Sequence, residues 1–336
     1  METKKFDFLP SKEKIFSFDV VNANLAVIFG SSCYLEYTFS NFGTISPEPI
    51  LNESTNSISF KNSEIIDLSI NLYLPDNLKG IDIKLNKGNI FLTNGNGSIN
   101  VSCYKGGIKI INSDGDFKLD AFDGEIDVSN IKGKITINGD KSHIKIRNWE
   151  SLGGDITTNY GSIFVETMDL KGDINIRSNG GKVSFGIAGI NDYYIIARGK
   201  DVINYLENIQ GKSMGSPAEI ICGTKEYKIN IFSRTDRVLI ARSKDLEVVS
   251  PDIVKIFDDF EKDIAKSIDF NKISKSIKDF GKKAEEKTKS IFERIGSLFS
   301  KEKEDKNISE RQQILNLLKE GKITAEEAER LLKALK

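Results

Sequence analysis

The chain has few of the residues on which most catalytic and metal-binding motifs are built. Its 336 residues include one histidine, His143, and three cysteines, Cys33, Cys103 and Cys222. Metal sites show paired Cys/His spacings and disulfide scaffolds show even cysteine sets, so this pattern speaks against both. The cysteines read as reduced thiols in or near a core, with a reducing cytoplasm as the compartment. Charge of one sign is lacking too: 48 Lys and Arg face 49 Asp and Glu, for a net charge of −1. Such a balance gives no general attraction to nucleic acid. No apolar run reaches the roughly 18 residues that a membrane span needs. No apolar stretch follows Lys4 and Lys5, so no secretory signal peptide is expected either. Of six prolines, none falls between Pro75 and Pro217, as expected where continuous β-ladders use every backbone N–H. Nucleotide-binding loops and activated-nucleophile spacings are missing as well. The expectation is a protein without catalytic residues, cofactor or metal.

What is abundant is one short phrase, Gly-x-apolar-x-apolar, repeated eleven times between Lys87 and Gly186. It begins at Gly88, Gly97, Gly107, Gly115, Gly124 and Gly133, continues at Ser142 in place of glycine, and ends at Gly154, Gly161, Gly172 and Gly181. Each phrase reads as a strand of about five residues whose apolar side chains share one face. Turn-forming pairs such as Asn94-Gly95, Asp114-Gly115 and Asp123-Gly124 lie between them. Successive starts are 9, 10, 8, 9, 9, 9, 12, 7, 11 and 9 residues apart; taken two at a time, the gaps tighten to between 17 and 21. That compensation points to a coil of two strands in which every second strand stacks on its predecessor. The rival is an antiparallel meander of hairpins. It would leave a wide apolar sheet with no helices to cover it.

The flanks carry longer β-like runs: Ile15–Val20, Leu25–Phe29, Tyr34–Phe39, Ile58–Phe60 and Leu68–Leu74 before the repeats, and Tyr193–Ala197, Glu219–Cys222, Lys228–Phe232 and Val238–Ala241 after them. A solenoid needs its open ends capped, and these runs are the expected caps. The fold class is therefore mainly β: a β-solenoid, parallel β-helix-like, with β caps, followed by amphipathic helices and a C-terminal helical hairpin. The expected organisation is an N-terminal β cap over 1–75, the ladder over 76–189, a C-terminal β cap over 190–250, amphipathic helices over 251–300, a linker over 301–306 and a hairpin over 307–336. Leu68-Ser69-Ile70-Asn71-Leu72-Tyr73-Leu74-Pro75, followed by the glycine-led rungs, resembles the bacterial putative-adhesin β-solenoid family over roughly residues 15–245. The resemblance implies a β-helical body of the kind found in envelope-associated proteins, and it carries no catalytic residues to transfer.

Beyond Pro251 the apolar period changes to about 3.6. Phe257, Phe260 and Ile264 open a stripe that Ile277 and Phe280 continue, and Ile291, Ile295 and Phe299 complete it, with lysines on the opposite face from Lys272 to Lys289. Two readings stand: a helix face packed on the solenoid or on its own copy, or an amphipathic segment in peripheral contact with an anionic membrane at its inner face. After the charged run Lys301–Lys306, Ser309 with Gln312 and Thr324 with Glu327 form two capping boxes, and Gly321 stands where the first helix must end. Ile314, Leu317 and Leu318 face Leu331, Leu332 and Leu335, with Ile323 at the second helix start. Residues Ile314–Ala328 look like the SHOCT-like helical hairpin of Firmicute proteins of the YvlB/LiaX type, linked to cell-envelope stress, where it precedes the solenoid rather than following it. Two short helices cannot bury a stable core alone. A homo-oligomer or a protein partner through this hairpin is expected.

The acidic residues Asp114, Asp116, Asp120, Asp123 and Asp127 form the one carboxylate-rich stretch of the ladder. They read as corner and solvent-facing residues, with Asp127 and Thr136 on the outward face of their strands and cheap to replace. His143 likewise reads as an outward residue. The combined reading is a non-catalytic scaffold or interaction protein with a self-associating tail, linked to envelope stress or surface organisation in a low-GC Gram-positive bacterium as the resemblance implies. The alternative is a carbohydrate-binding or carbohydrate-cleaving β-helix protein.

Overall fold

A computed structural model describes residues 2–40, 47–60, 68–188, 193–206, 215–222 and 226–268. In it the repeats form a solenoid of two strands per coil. Strands β1 (Glu2–Asp7), β2 (Phe16–Asn22), β3 (Asn24–Gly30), β4 (Tyr34–Phe39), β5 (Pro49–Asn52), β6 (Ser57–Phe60) and β7 (Leu68–Pro75) precede it. The repeats themselves supply β8 (Gly80–Lys87), β9 (Ile90–Thr93), β10 (Asn96–Lys105), the corner-turning run β11 (Ile108–Thr158), β12 (Ile163–Leu170), β13 (Ile174–Ser178) and β14 (Val183–Ile187). Then come β15 (Tyr193–Arg198), β16 (Val202–Asn204), β17 (Ala218–Cys222), β18 (Tyr227–Ser233) and β19 (Val238–Arg242), followed by helices α1 (Ser243–Val249) and α2 (Pro251–Ser267).

Successive coils are in constant register through the first half of the ladder. Ile81 pairs in parallel with Ile99 and Ile99 with Phe117 on one side; Ile90 pairs with Ile108 on the other. The coil lengthens slightly in the second half, where Ile144 pairs with Ile163 and Ile163 with Val183. The paired spacing in the sequence was therefore the coil itself. Parallel stacking rules out the hairpin meander, because the turn-forming pairs serve as corners within a coil.

Corner chemistry explains the glycines. Gly88, Gly106 and Gly124 stack at one corner and Gly97, Gly115 and Gly133 at another, each with positive φ. At Gly106, φ is +130°, and a Cβ would run into the carbonyl of Gly88 one coil below. No L side chain fits both demands. A third corner uses asparagine: Asn94, Asn112, Asn130 and Asn148 all have positive φ, between 51° and 58°. Their amides stack, with Asn148 Nδ2 donating to Asn130 Oδ1 at 2.8 Å and Asn130 Nδ2 donating to Asn112 Oδ1 at 3.2 Å. Inside, one continuous apolar core runs the length of the coil and includes Ile99, Val101, Ile108, Ile110, Ile126, Ile135 and Trp149.

Both flanks continue the coil rather than merely closing it. At the N-terminal end β2 and β3 pair in parallel with β8 and β9, while β6 and β7 stack outside them, also in parallel. At the far end β18 and β19 lie directly on β13 and β14, and the earlier strands β15 and β16 lie outside them. At each end the chain places a coil next to one that is not its sequence neighbour. Antiparallel strands then close the stack: β1 on β4 and β4 on β7, β5 on β6, and β17 on β15. Of the closing strands, β1 (ETKKFD) is short and charged, which discourages pairing with another chain along that edge.

Candidate functional site

A strand exposes alternate side chains on opposite faces. The solenoid's second sheet therefore carries an outer column as well as an inner one. Register places Ala26 beside Phe91, Phe91 beside Lys109, Lys145 beside Phe164, Phe164 beside Ser184, and Ser184 beside Leu239. Asp127 stands between Lys109 and Lys145, one coil from each. An outward column should face water, yet every one of these residues is buried. Helix α2 lies over its middle, and α1 packs against β12, β14 and β19.

Helix α2 forms where the sequence demands it. Pro251 occupies its first turn, Asp252 favours the positive end of the helix, and Ile253, Phe257, Phe260 and Ile264 recur on one face. All four are buried. Ser250 at the helix start pairs its hydroxyl with that of Ser184, the two Oγ atoms 2.8 Å apart, rather than capping its own helix. Lys182 Nζ donates to Asp252 Oδ1 at 2.8 Å. Further along the helix, Phe260 covers Gly107 so closely that any Cβ there would enter its ring.

Between these apolar contacts lies a closed ionic cluster. Lys109 Nζ donates to Asp127 Oδ2 at 2.6 Å and to Glu261 Oε1 at 2.9 Å. Arg147 Nη2 donates to the same Glu261 oxygen at 3.2 Å and lies 3.9 Å from Asp127 Oδ2. Glu247 of α1 approaches Arg147 from the rim at 3.7 Å. Lys145 places its ammonium 5.4 Å from the centre of the Phe257 ring. Asp127 is 0% exposed and Lys109 and Glu261 only 3% and 4%. Burial opposes ionisation of Asp127, but Lys109, Arg147 and Lys145 outweigh it and hold the carboxyl well below the usual carboxylate range. Burial also works against the Arg147 charge, and Asp127, Glu261, Glu247 and Glu166 overcome it and push its pKa up. Such a cluster contributes little net stability relative to apolar packing, but it is costly to break. Its chemical consequence is orientation: only one placement of α2 brings Glu261 between two cations.

The sequence-level expectations divide here. Phe257, Phe260 and Ile264 pack on the solenoid, which is the first of the two readings of that stripe; buried there, they offer no face to a lipid surface. Ile277, Phe280, Ile291, Ile295 and Phe299 lie outside the described residues, as do the hairpin residues Ile314, Leu317, Leu318, Ile323, Leu331, Leu332 and Leu335. The reading of Asp127 as outward and cheap to replace is corrected: it is outward from the coil but buried beneath α2. The acidic stretch is split, with Asp114, Asp116 and Asp123 exposed at corners and Asp127 on the other sheet. His143 is half-buried, its Nδ1 accepting the Ser162 N–H at 3.1 Å, and burial lowers its pKa. Burial first, and Asp7 second, push the Cys33 thiol up to about 11, and burial pushes Cys103 to about 12, so both stay protonated.

Lys109, Lys145, Arg147 and Glu261 were missed. Their signal was present: Phe91, Phe164 and Leu239 occupy the same variable position of their rungs, and an apolar residue there implies a cover. Among the described residues no group of three or more His, Cys, Asp or Glu is placed to hold a metal ion. No described helix is long and apolar enough to cross a membrane.

Residues 309–336 match the SHOCT-like domain family, at the place where the sequence resembles that hairpin. No curated protein matches the chain. Among solved structures it is similar to a putative cell adhesion protein from Clostridium sporogenes, at 13% identity over 72% of this chain and 99% of that one, TM-score 0.24. It is also similar to a putative adhesin from Bacteroides fragilis, at 10% identity over 71% of this chain and 97% of that one, TM-score 0.36.

Proposed function

We propose that this protein is a non-catalytic interaction scaffold: a rigid β-solenoid that carries a SHOCT-like, self-associating tail and serves cell-envelope stress or surface organisation. The observation that carries this reading is the clasp of α2. Its charges are consumed in holding a helix, with each carboxylate and cation facing a partner rather than a cleft. A solenoid that fixes the first helix of its tail this firmly suits a platform for whatever the rest of the tail recruits. The family match over residues 309–336 supports an assembly module there. Its leucine-rich faces need a second surface, and another copy of the chain supplies the simplest one. Within this reading the protein works in the cytoplasm, and the lysine-rich segment 272–300 touches the anionic inner face of the membrane.

Fractionation of cells with an antibody to the full chain tests the envelope role. The expected result is a cytoplasmic pool together with a membrane-associated pool that high salt releases. A protein confined to the medium, or to a membrane fraction that salt leaves intact, contradicts it.

A further inference from the structure

On the opposite sheet from α2, the coils carry a groove that runs along the solenoid axis. Its floor is made by one inward position on successive coils, and the side chain there shrinks step by step. Leu85 pairs with Cys103 and Cys103 with Ala121, and one coil further on the position is Gly139. A cleft of about 570 Å³ lies over these positions, within the range of ligand sites. One wall is polar: Lys84, Ser102, Asp120 and Asn138 follow one another, and Asn138 Nδ2 donates to Asp120 Oδ1 at 2.9 Å. The other wall is aromatic at its centre. Tyr104 and Phe122 stack with centroids 4.7 Å apart and planes 12° from parallel. They remain 49% and 38% exposed, so they form an apolar ledge that the fold itself does not use. Asp140 follows Phe122 on this wall, and its Oδ1 accepts from Asn159 Nδ2 at 2.7 Å. Asp19 stands at the N-terminal end.

We infer that this groove binds a chain of neutral or amino sugars. Three features of its walls select that class. Aromatic rings on one side suit the C–H faces of pyranoses, and carboxylate and carboxamide groups on the other suit their hydroxyl and amino groups. The bonds that Asp120 and Asp140 accept use Oδ1 alone, so each carboxylate has a second oxygen for a ligand. The wall positions recur once per coil, about 4.8 Å apart, close to the length of one pyranose, which matches a linear glycan laid along the axis. Charge decides between glycans: Asp19, Asp120 and Asp140 face only Lys84 among the charged lining residues, so an acidic polysaccharide is repelled. This site is independent of the tail and of the clasp under α2.

Calorimetric titration of the full chain with a glucosamine tetramer, an N-acetylglucosamine tetramer, polygalacturonate and tetralysine tests the inference. Binding of either amino-sugar tetramer is expected, and no heat from polygalacturonate. The double variant Tyr104→Ala/Phe122→Ala, both side chains being exposed, should keep its melting temperature and lose at least tenfold in affinity. Asp120→Asn should weaken the glucosamine tetramer more than its N-acetylated counterpart. Absence of binding by both tetramers, equal binding by polygalacturonate, or affinity unchanged in folded Tyr104→Ala/Phe122→Ala overturns the proposal. Binding of tetralysine alone overturns it in favour of a cationic peptide.

Discussion

At the scale of single residues, Asp127 is where alternation in the sequence and burial in the fold part company. Its neighbours Ile126 and Val128 point into the coil and are fully buried, so alternation sends Asp127 outward, as the sequence indicates. What alternation cannot say is whether outward means water. Lys109, Lys145 and Arg147 converge on this carboxylate, and removing it deprives three buried cations of the charge they share. Asp127→Ala is expected to cost about 3–5 kcal/mol, the usual penalty for breaking a buried pair. Thr136→Ala, on a half-buried outer position of the other sheet, should stay within about 0.5 kcal/mol. Denaturant melts followed by the fluorescence of the buried Trp149 measure both. Equal small effects would show that α2 does not seal this column. The glycines were more legible than the charges, because a stacked corner leaves each of them no alternative. The carboxylate's environment depends on a helix far along the chain, which no local pattern encodes.

At the scale of elements, the legible part was whatever has a period. The compensating gaps between alternate repeats revealed the coil, and the change to a helical period after Pro251 revealed α2. Non-sequential stacking at the two ends was not legible, because β2, β6, β15 and β18 have the same strand character wherever they insert. The docking of α2 was half legible: its stripe announced an apolar partner, and the apolar residues Phe91, Phe164 and Leu239 announced a cover. Gly107 offers a probe of that contact, since a methyl group there meets the Phe260 ring while the inner core is untouched. Gly107→Ala is expected to raise amide exchange across α2 at least tenfold and to leave exchange in the inner strands unchanged. Acid should act on the same contact. The Asp127 carboxyl is depressed in the folded protein, so its contribution is present above the ordinary carboxylate pKa of about 3.9 and is lost as pH falls below that value. The protection of α2 relative to the intrinsic exchange rate should therefore stay flat from neutral pH to about 4 and fall only below it. Exchange in α2 that is already fast at neutral pH, or indifferent to Gly107→Ala, would argue against a clasped helix.

At the scale of the whole molecule, on the proposed reading, a stiff coil and a short leucine-rich tail divide the work. The coil's stability comes from contacts between adjacent turns, so it needs no second copy. On the same reading, the leucines of the tail need one. The central claim is that assembly resides in the tail and stability in the solenoid. Light scattering with parallel thermal melts on the full chain, on Leu318→Asp, on Leu332→Asp and on a chain ending at Lys306 tests it most directly. An unpaired carboxylate in a packed leucine interface is costly, so the two substitutions should turn an oligomer into a monomer, as should the truncation. The solenoid should melt at the same temperature in all four. A monomeric full chain, or oligomers that persist without the tail, would contradict it.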